Sequence, residues 1–243
     1  MDLGLKDRVC VVTGASTGIG RAVARLLLAE GARVVAVARR ETLLAEIRGA
    51  TAAPMDLTSD DAAGRLKQIV LGAFGRIDVL VNNAGGSRPS GPMADEEAWN
   101  EGMRLNFTAA RRLTQAFIPA MQAQKWGRIV NVTGTDEPVG SNAATPAKAA
   151  TTAWSKGLSR DLGRDGITVN CVAPGRIMSE QVVERLYPTA EERRRFAEAH
   201  IPVGRFGEPE EIAALIVFLC SEPAGYVTGD VFHVDGGMRR FAF

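Results

Sequence analysis

The 243 residues, 46% hydrophobic and 23% charged, exclude a disordered chain and suffice for one large α/β domain whose core needs no metal or disulfide. Twenty-nine basic residues against 28 acidic ones leave a net charge of +1, without the concentrated basic footprint of a nucleic-acid binder. The run Arg193-Arg194-Arg195 follows Glu191-Glu192 at helical spacing and reads as a solvated face.

From the start of the chain, residues 1–8 carry no apolar h-region, so no export is expected. Val9-Cys10-Val11-Val12 is an apolar run of strand length closed by Thr13-Gly14. Residues 19–28 then repeat apolar side chains at helical spacing, and Gly31 stands where a C-terminal cap would. Val34-Val35-Ala36-Val37 is a second buried strand. The same beat returns at 79–81, 129–132, 168–172 and 231–234. Helical patterns lie between, over 62–74, 96–122, 146–162 and 208–220. Strands apolar on both faces, alternating with helices, predict a Rossmann-type α/β fold: one doubly wound parallel sheet with helices on both faces. The longest apolar stretch, 212–220, is nine residues, about half a membrane span, so no membrane span is expected. Cys10, Cys171 and Cys220 sit inside apolar runs, which fits buried thiols in a reducing cytoplasm.

Between the first strand and helix runs Thr13-Gly14-Ala15-Ser16-Thr17-Gly18-Ile19-Gly20. Its glycines let the backbone turn tightly and approach a pyrophosphate, to which the helix N-terminus offers unpaired N–H groups. With this motif the sequence resembles the short-chain dehydrogenase/reductase family in its single-domain form. The family's Thr-Gly-x-x-x-Gly-x-Gly is matched in full, and Asp56-Leu57 stands where the family contacts adenine. Asn82-Asn83-Ala84-Gly85 matches the motif after the fourth strand, and Asn106, in Leu105-Asn106-Phe107, the helix asparagine. Pro174-Gly175-Arg176-Ile177 matches the turn after the sixth strand, while Tyr226-Val227-Thr228-Gly229 and Val234-Asp235-Gly236-Gly237 match the C-terminal signatures. The likeness spans residues 6–238.

The resemblance implies a single dinucleotide-binding domain over 1–243, with a substrate lid at about 177–205. It implies cofactor contacts from Gly14, Ser16, Thr17, Gly18, Ile19, Gly20, Asp56, Leu57, Asn83, Ala84, Gly85, Pro174, Gly175 and Ile177. It also implies a small-molecule substrate and a homotetramer built partly from the helices at 96–122 and 146–162. No nucleic acid, membrane or metal enters this expectation. The end of the second strand separates NAD from NADP, because NAD enzymes place a carboxylate there for the ribose 2′-hydroxyl. Here Ala38 is followed by Arg39-Arg40, and guanidinium binds phosphate with paired donors. NADP(H) is therefore expected over NAD(H), with Arg39 on the 2′-phosphate.

The family's acid/base tyrosine stands four residues before a lysine, with a serine 13 residues before the tyrosine; here Lys148 anchors the register and Ala144 takes the tyrosine's place. Aligning 129–134 with the family's strand puts Gly134 at the serine, ten residues before Ala144. Neither side chain can exchange a proton, and Tyr187 and Tyr226 are the only tyrosines. Pro146 fits only a first helical turn, so the helix is expected to start at Thr145 and to leave Ala144 outside. Of the family's catalytic group Asn106 and Lys148 remain, the lysine implied to hold the nicotinamide ribose and the asparagine to support a water relay.

Several groups could move a proton instead. Thr133 reads as a strand-end cap or a donor. Asp136-Glu137, in a loop facing the expected cleft, read as solvated charges or as an acid/base with raised pKa. Tyr187 and His200 read as lid packing or as substrate contacts, and Lys148 itself could donate if desolvated. Three functions stay open: an NADP(H)-dependent oxidoreductase on an alcohol/carbonyl pair, a catalytically silent dinucleotide-binding protein, and a non-redox enzyme for elimination or isomerisation.

Overall fold

In a computed structural model describing residues 1–138 and 140–241, seven strands form one parallel sheet. They are β1 (Val9–Thr13), β2 (Arg33–Ala38), β3 (Thr51–Pro54), β4 (Val79–Asn82), β5 (Gly127–Val132), β6 (Ile167–Pro174) and β7 (Val231–Val234), in the order β3-β2-β1-β4-β5-β6-β7. The helices are α1 (Gly18–Ala29), α2 (Glu41–Ala45), α3 (Ala62–Phe74), α4 (Glu96–Met103), α5 (Ala109–Ala123), α6 (Ala144–Leu162), α7 (Ala190–His200) and α8 (Pro209–Leu219).

Successive strand residues point to opposite faces, and both faces are apolar, so each needs a helical cover. Cys10, Val12, Val34, Ala36, Val81 and Val130 pack with α1 and α8. Val9, Val11, Val35, Val37, Leu80 and Ile129 pack with α3 and α5. Each fully buried Leu, Ile or Phe, such as Leu27, Leu66 or Phe117, contributes about 2 kcal/mol of transfer free energy. At the N-terminal end of the strands the wholly buried Asp78 accepts from the Val9 N–H at 2.8 Å, from Arg8 at 3.2 Å and from Arg76. From β1 the chain winds outward to β2 and β3, then returns to β4 on β1's other side. The strand order reverses there, which opens a crevice at the carboxyl ends of β1 and β4.

The structure departs from the sequence reading in several places, the short helix α2 among them. The resemblance implies a third strand only by counting the one at 79–81 as the fourth; the sequence does not locate β3, because of its residues only Ala53 is buried and no apolar run marks it, and Pro54 is tolerated on this edge strand. The pattern over 96–122 is interrupted by a π-helical turn, Arg104–Thr108, that separates α4 from α5. Inside the lid a second π-helical turn, Val182–Leu186, and α7 carry structure that the sequence reading left undescribed. Finally, α6 starts at Ala144 rather than Thr145. Asn142 Oδ1 accepts from the Ala144 N–H at 2.9 Å, and Pro146 falls in the first turn, where its missing N–H has no intrahelical partner to lose. Ala144 is thus a buried member of the helix and not part of the preceding loop.

Candidate functional site

Thr13 closes β1, and its hydroxyl accepts from the Asn83 and Ala84 N–H groups, both at 2.9 Å. Asn83 Nδ2 returns a bond to Thr13 O at 3.0 Å, so the tips of β1 and β4 are laced together. Gly14 has φ +64°, and a Cβ on it would come within 2.8 Å of Asn83 Nδ2. A Cβ on Gly20 would overlap the Gly14 carbonyl oxygen. The chain therefore turns without side chains and leaves the start of α1 open. No side chain caps that helix, and its first turn carries no acidic residue. Free N–H groups at a positive dipole end are a cradle for an anion.

The crevice holds about 390 Å³, within the range of small-molecule sites. Gly14, Thr17, Gly18, Ile19, Asn83, Ala84, Gly85, Lys148, Pro174, Gly175 and Ile177 all line it. Ser16 is buried in the turn. Asn106 stands beneath the crevice in the first π-helical turn, its Oδ1 accepting from the Gly86 N–H at 3.0 Å and its Nδ2 donating to Gly102 O at 3.0 Å. Thr151 of α6 donates to Asn106 O at 3.1 Å, which ties this turn to the lysine helix. Arg39, Asp56 and Leu57 do not line the crevice. Leu57 packs into the core under α3, and Arg39 is exposed at the end of β2. Asp56 is engaged with Thr58, whose N–H and hydroxyl hold its carboxyl below the usual range, with the Arg39 charge adding to the effect.

Lys148 Nζ donates to Thr133 O at 2.6 Å, and burial lowers its pKa to about 8. Gly134 lies against it: a Cβ there would meet Lys148 Cδ at 3.3 Å. Ala144, Thr145 and Thr135 complete this wall of the crevice. The Thr133 hydroxyl turns away to Val172 O, at 3.3 Å, and so serves as the strand-end cap.

The loop carboxylates do not face the crevice. Asp136 pairs with Arg239 at 3.1 Å and approaches His233 at 3.4 Å, while Glu137 accepts from the N–H groups of Arg240 and Phe241. Both pin the loop to the C-terminal segment, which the local sequence gave no means to foresee. Tyr187 and His200 belong to an aromatic cluster within the lid, with ring centroids 4.9 Å and 4.6 Å from Phe196. The three cysteines are free and buried, and burial raises each thiol pKa.

Two arrangements lie outside the sequence reading. A buried chain of amides and hydroxyls crosses the sheet: Asn82 Nδ2 donates to Thr114 Oγ1 and Asn131 Oδ1, and Asn131 Nδ2 donates to Ser155 Oγ. It fixes α6, and with it Lys148, against β4 and β5. Adjacent asparagines inside two apolar strands were the available signal. The other is Arg40, which bonds Ser16, Thr17 and the lid carboxylate Glu180.

Among the described residues no helix is long and apolar enough to cross a membrane, and no cluster of metal-ligating side chains occurs. Residues 14–239 match a family model described as enoyl-(acyl carrier protein) reductase. The chain is 36% identical to the 3-oxoacyl-[acyl-carrier-protein] reductase FabG of Vibrio cholerae over 97% of this chain and 99% of that protein. It is 37% identical to the FabG of Escherichia coli, with the same coverage. L-sorbose reductase from Gluconobacter frateurii, crystallised with NADPH and L-sorbose, superposes with a TM-score of 0.93 at 32% identity, over 99% of this chain and 100% of that one. YwfH, an NADPH-dependent reductase involved in bacilysin biosynthesis, gives 0.91 at 28% identity, over 97% and 100%. Motifs, sheet order, crevice and relatives agree: the chain belongs to the short-chain dehydrogenase/reductase family.

Proposed function

We propose that the protein is an NADP(H)-dependent oxidoreductase acting on an alcohol/carbonyl pair through a non-standard active site. The observation that carries the cofactor reading is the pair of guanidinium groups at the end of β2, one of them bonded to the glycine turn at Ser16 and Thr17. The uncapped start of α1 fits a pyrophosphate and Arg39 with Arg40 fits a 2′-phosphate. The FabG relatives are reductases, L-sorbose reductase was crystallised with NADPH, and YwfH is an NADPH-dependent reductase. The cofactor contacts are Gly14, Ser16, Thr17, Gly18, Ile19 and Gly20 at the turn; Arg39, Asp56 and Leu57 at the adenine end; and Asn83, Ala84, Gly85, Lys148, Pro174, Gly175 and Ile177 around the crevice.

The nicotinamide, when bound, supplies or accepts the hydride. The remaining work falls to the chain. With Ala144 and Gly134 at the places of the family's tyrosine and serine, we assign the substrate oxygen to the Lys148 ammonium, the one cationic group among the described residues of that wall. With a pKa of about 8 it is protonated at neutral pH and can donate a hydrogen bond, or its proton, to a developing alkoxide. Asn106 positions the Gly86 backbone beneath the crevice and, through Thr151, the helix of Lys148. The lid, from Ile177 through α7, covers a small carbonyl compound. The protein is proposed to act in the cytoplasm as a homotetramer.

The absence of a hydroxyl at 144 and 134 favours a second reading, in which the dinucleotide binds without redox turnover or the pocket serves elimination or isomerisation. NADPH consumption against ketones, aldehydes and 3-oxoacyl thioesters separates the two. Turnover supports the oxidoreductase. Tight NADPH binding with no consumption across the panel supports the second reading.

A further inference from the structure

Arg40 and Glu180 are 140 residues apart in the chain and meet across the mouth of the glycine turn. Arg40 Nη1 donates to Glu180 Oε1 at 2.8 Å and Nη2 to Oε2 at 2.7 Å, a paired fork. The same Nη2 reaches Thr17 Oγ1 at 3.0 Å and Ser16 Oγ at 3.3 Å. The ion pair lowers the Glu180 pKa, so the carboxylate stays charged. Glu180 thus fills the donor fork directly beside the turn that faces the nucleotide. Its neighbours Ser179, Gln181 and Val182 line the crevice, so this bond also ties the lid's first residues to the end of β2.

We propose that Glu180 is a specificity-determining residue: it holds Arg40 when no nucleotide is bound and yields it only to a 2′-phosphate. NADPH, and not NADH, then frees the lid segment over 178–187; this rests on the NADP(H) reading given above. The argument is competition for one fork. A carboxylate and a phosphate both need the two parallel donors, and the phosphate brings more charge. Once seated it repels Glu180. The ribose of NADH offers only neutral hydroxyls, which leave the ion pair in place. Both partners are partly exposed, with side-chain exposures of 45% and 41%, so the pair is weak enough to be exchanged.

The test measures dissociation constants of NADPH, NADH and the fragment 2′,5′-ADP for wild type and Glu180→Gln, together with hydrogen exchange over 178–187. Glu180→Gln is expected to bind NADPH and 2′,5′-ADP about two- to fivefold more tightly, the scale of an exposed ion pair, with NADH unchanged. In wild type, 2′,5′-ADP should speed exchange over 178–187 while 5′-ADP does not. The free variant should already exchange fast there, with protection elsewhere unchanged reporting an intact fold. If wild type binds NADPH and NADH equally, the cofactor reading falls, and this proposal with it. If NADPH is preferred but Glu180→Gln tightens neither ligand, or tightens NADPH and NADH alike, the role of Glu180 is overturned and the cofactor reading stands.

Discussion

The ammonium of Lys148 and the carbonyl of Thr133 are joined by a 2.6 Å hydrogen bond that fastens the second turn of α6 to the residue following β5. The lysine is therefore held in the crevice by backbone, without help from a phenol or a serine hydroxyl. Its anchor is a backbone carbonyl, although a side chain at 134 would press on its stem, since a Cβ there would meet Lys148 Cδ at 3.3 Å.

NADPH affinity should fall as the pH passes about 8, where the buried ammonium loses its proton. Lys148→Met should weaken NADPH binding by about ten- to a hundredfold at neutral pH, the scale of a hydrogen bond from a charged donor, and flatten the profile. Fluorescence titration across pH checks both. Stability moves the other way: the folded lysine titrates near 8 and the unfolded one near 10.5, so between them the unfolded chain binds the extra proton and stability rises with pH.

The preference for NADPH should reside in Arg39 and Arg40. Arg40→Ala is expected to weaken NADPH about tenfold with little change for NADH, and the double variant with Arg39→Ala should bind the two nucleotides alike. Calorimetric titration of both nucleotides decides it, and a retained preference in the double variant refutes the assignment.

Ala144→Tyr alone should not create a fast carbonyl reductase. The new phenol would sit in the first turn of α6 beside the crevice, yet Gly134 still lacks a hydroxyl, and adding a Cβ there crowds Lys148 Cδ at 3.3 Å. Ketone-dependent NADPH oxidation should stay at the wild-type level. A gain of about a hundredfold, the least that a positioned acid/base group supplies, would show that the site lacks only the tyrosine and is otherwise standard.

Asp78→Ala should destabilise the fold by about 2 kcal/mol, because it strands the buried Val9 N–H and removes the carboxylate from the partly buried Arg8, whereas the half-exposed Arg76 is rehydrated. Denaturant unfolding measures this, and an unchanged midpoint would place the cluster among ornamental ion pairs.

The parallel sheet and the cofactor turn were legible because both are written locally. Runs such as Val9-Cys10-Val11-Val12 are apolar on consecutive positions, and Gly14 and Gly20 stand where any Cβ would collide. What stayed hidden depends on contacts between distant segments. Nothing near Asp136 or Glu137 announces the C-terminal residues 239–241 that hold them, and nothing near Arg40 announces Glu180. The start of α6 was misplaced for a subtler reason. Pro146 is compatible with several first-turn positions, and the contact that the sequence does not announce is the Asn142 side chain accepting from the Ala144 N–H.

The π-helical turn at Arg104–Thr108 amounts to one residue more than a regular helix would place there. Because each α-helical residue advances the side chains by about 100°, that surplus sets the angular offset between the two helices it joins. Deleting one residue within 104–108 would heal the hydrogen-bond ladder and make a smoother rod. It would also swing Asn106 out of line with Gly86 and uncouple its carbonyl from Thr151, so the straighter helix would be the one that no longer serves the crevice.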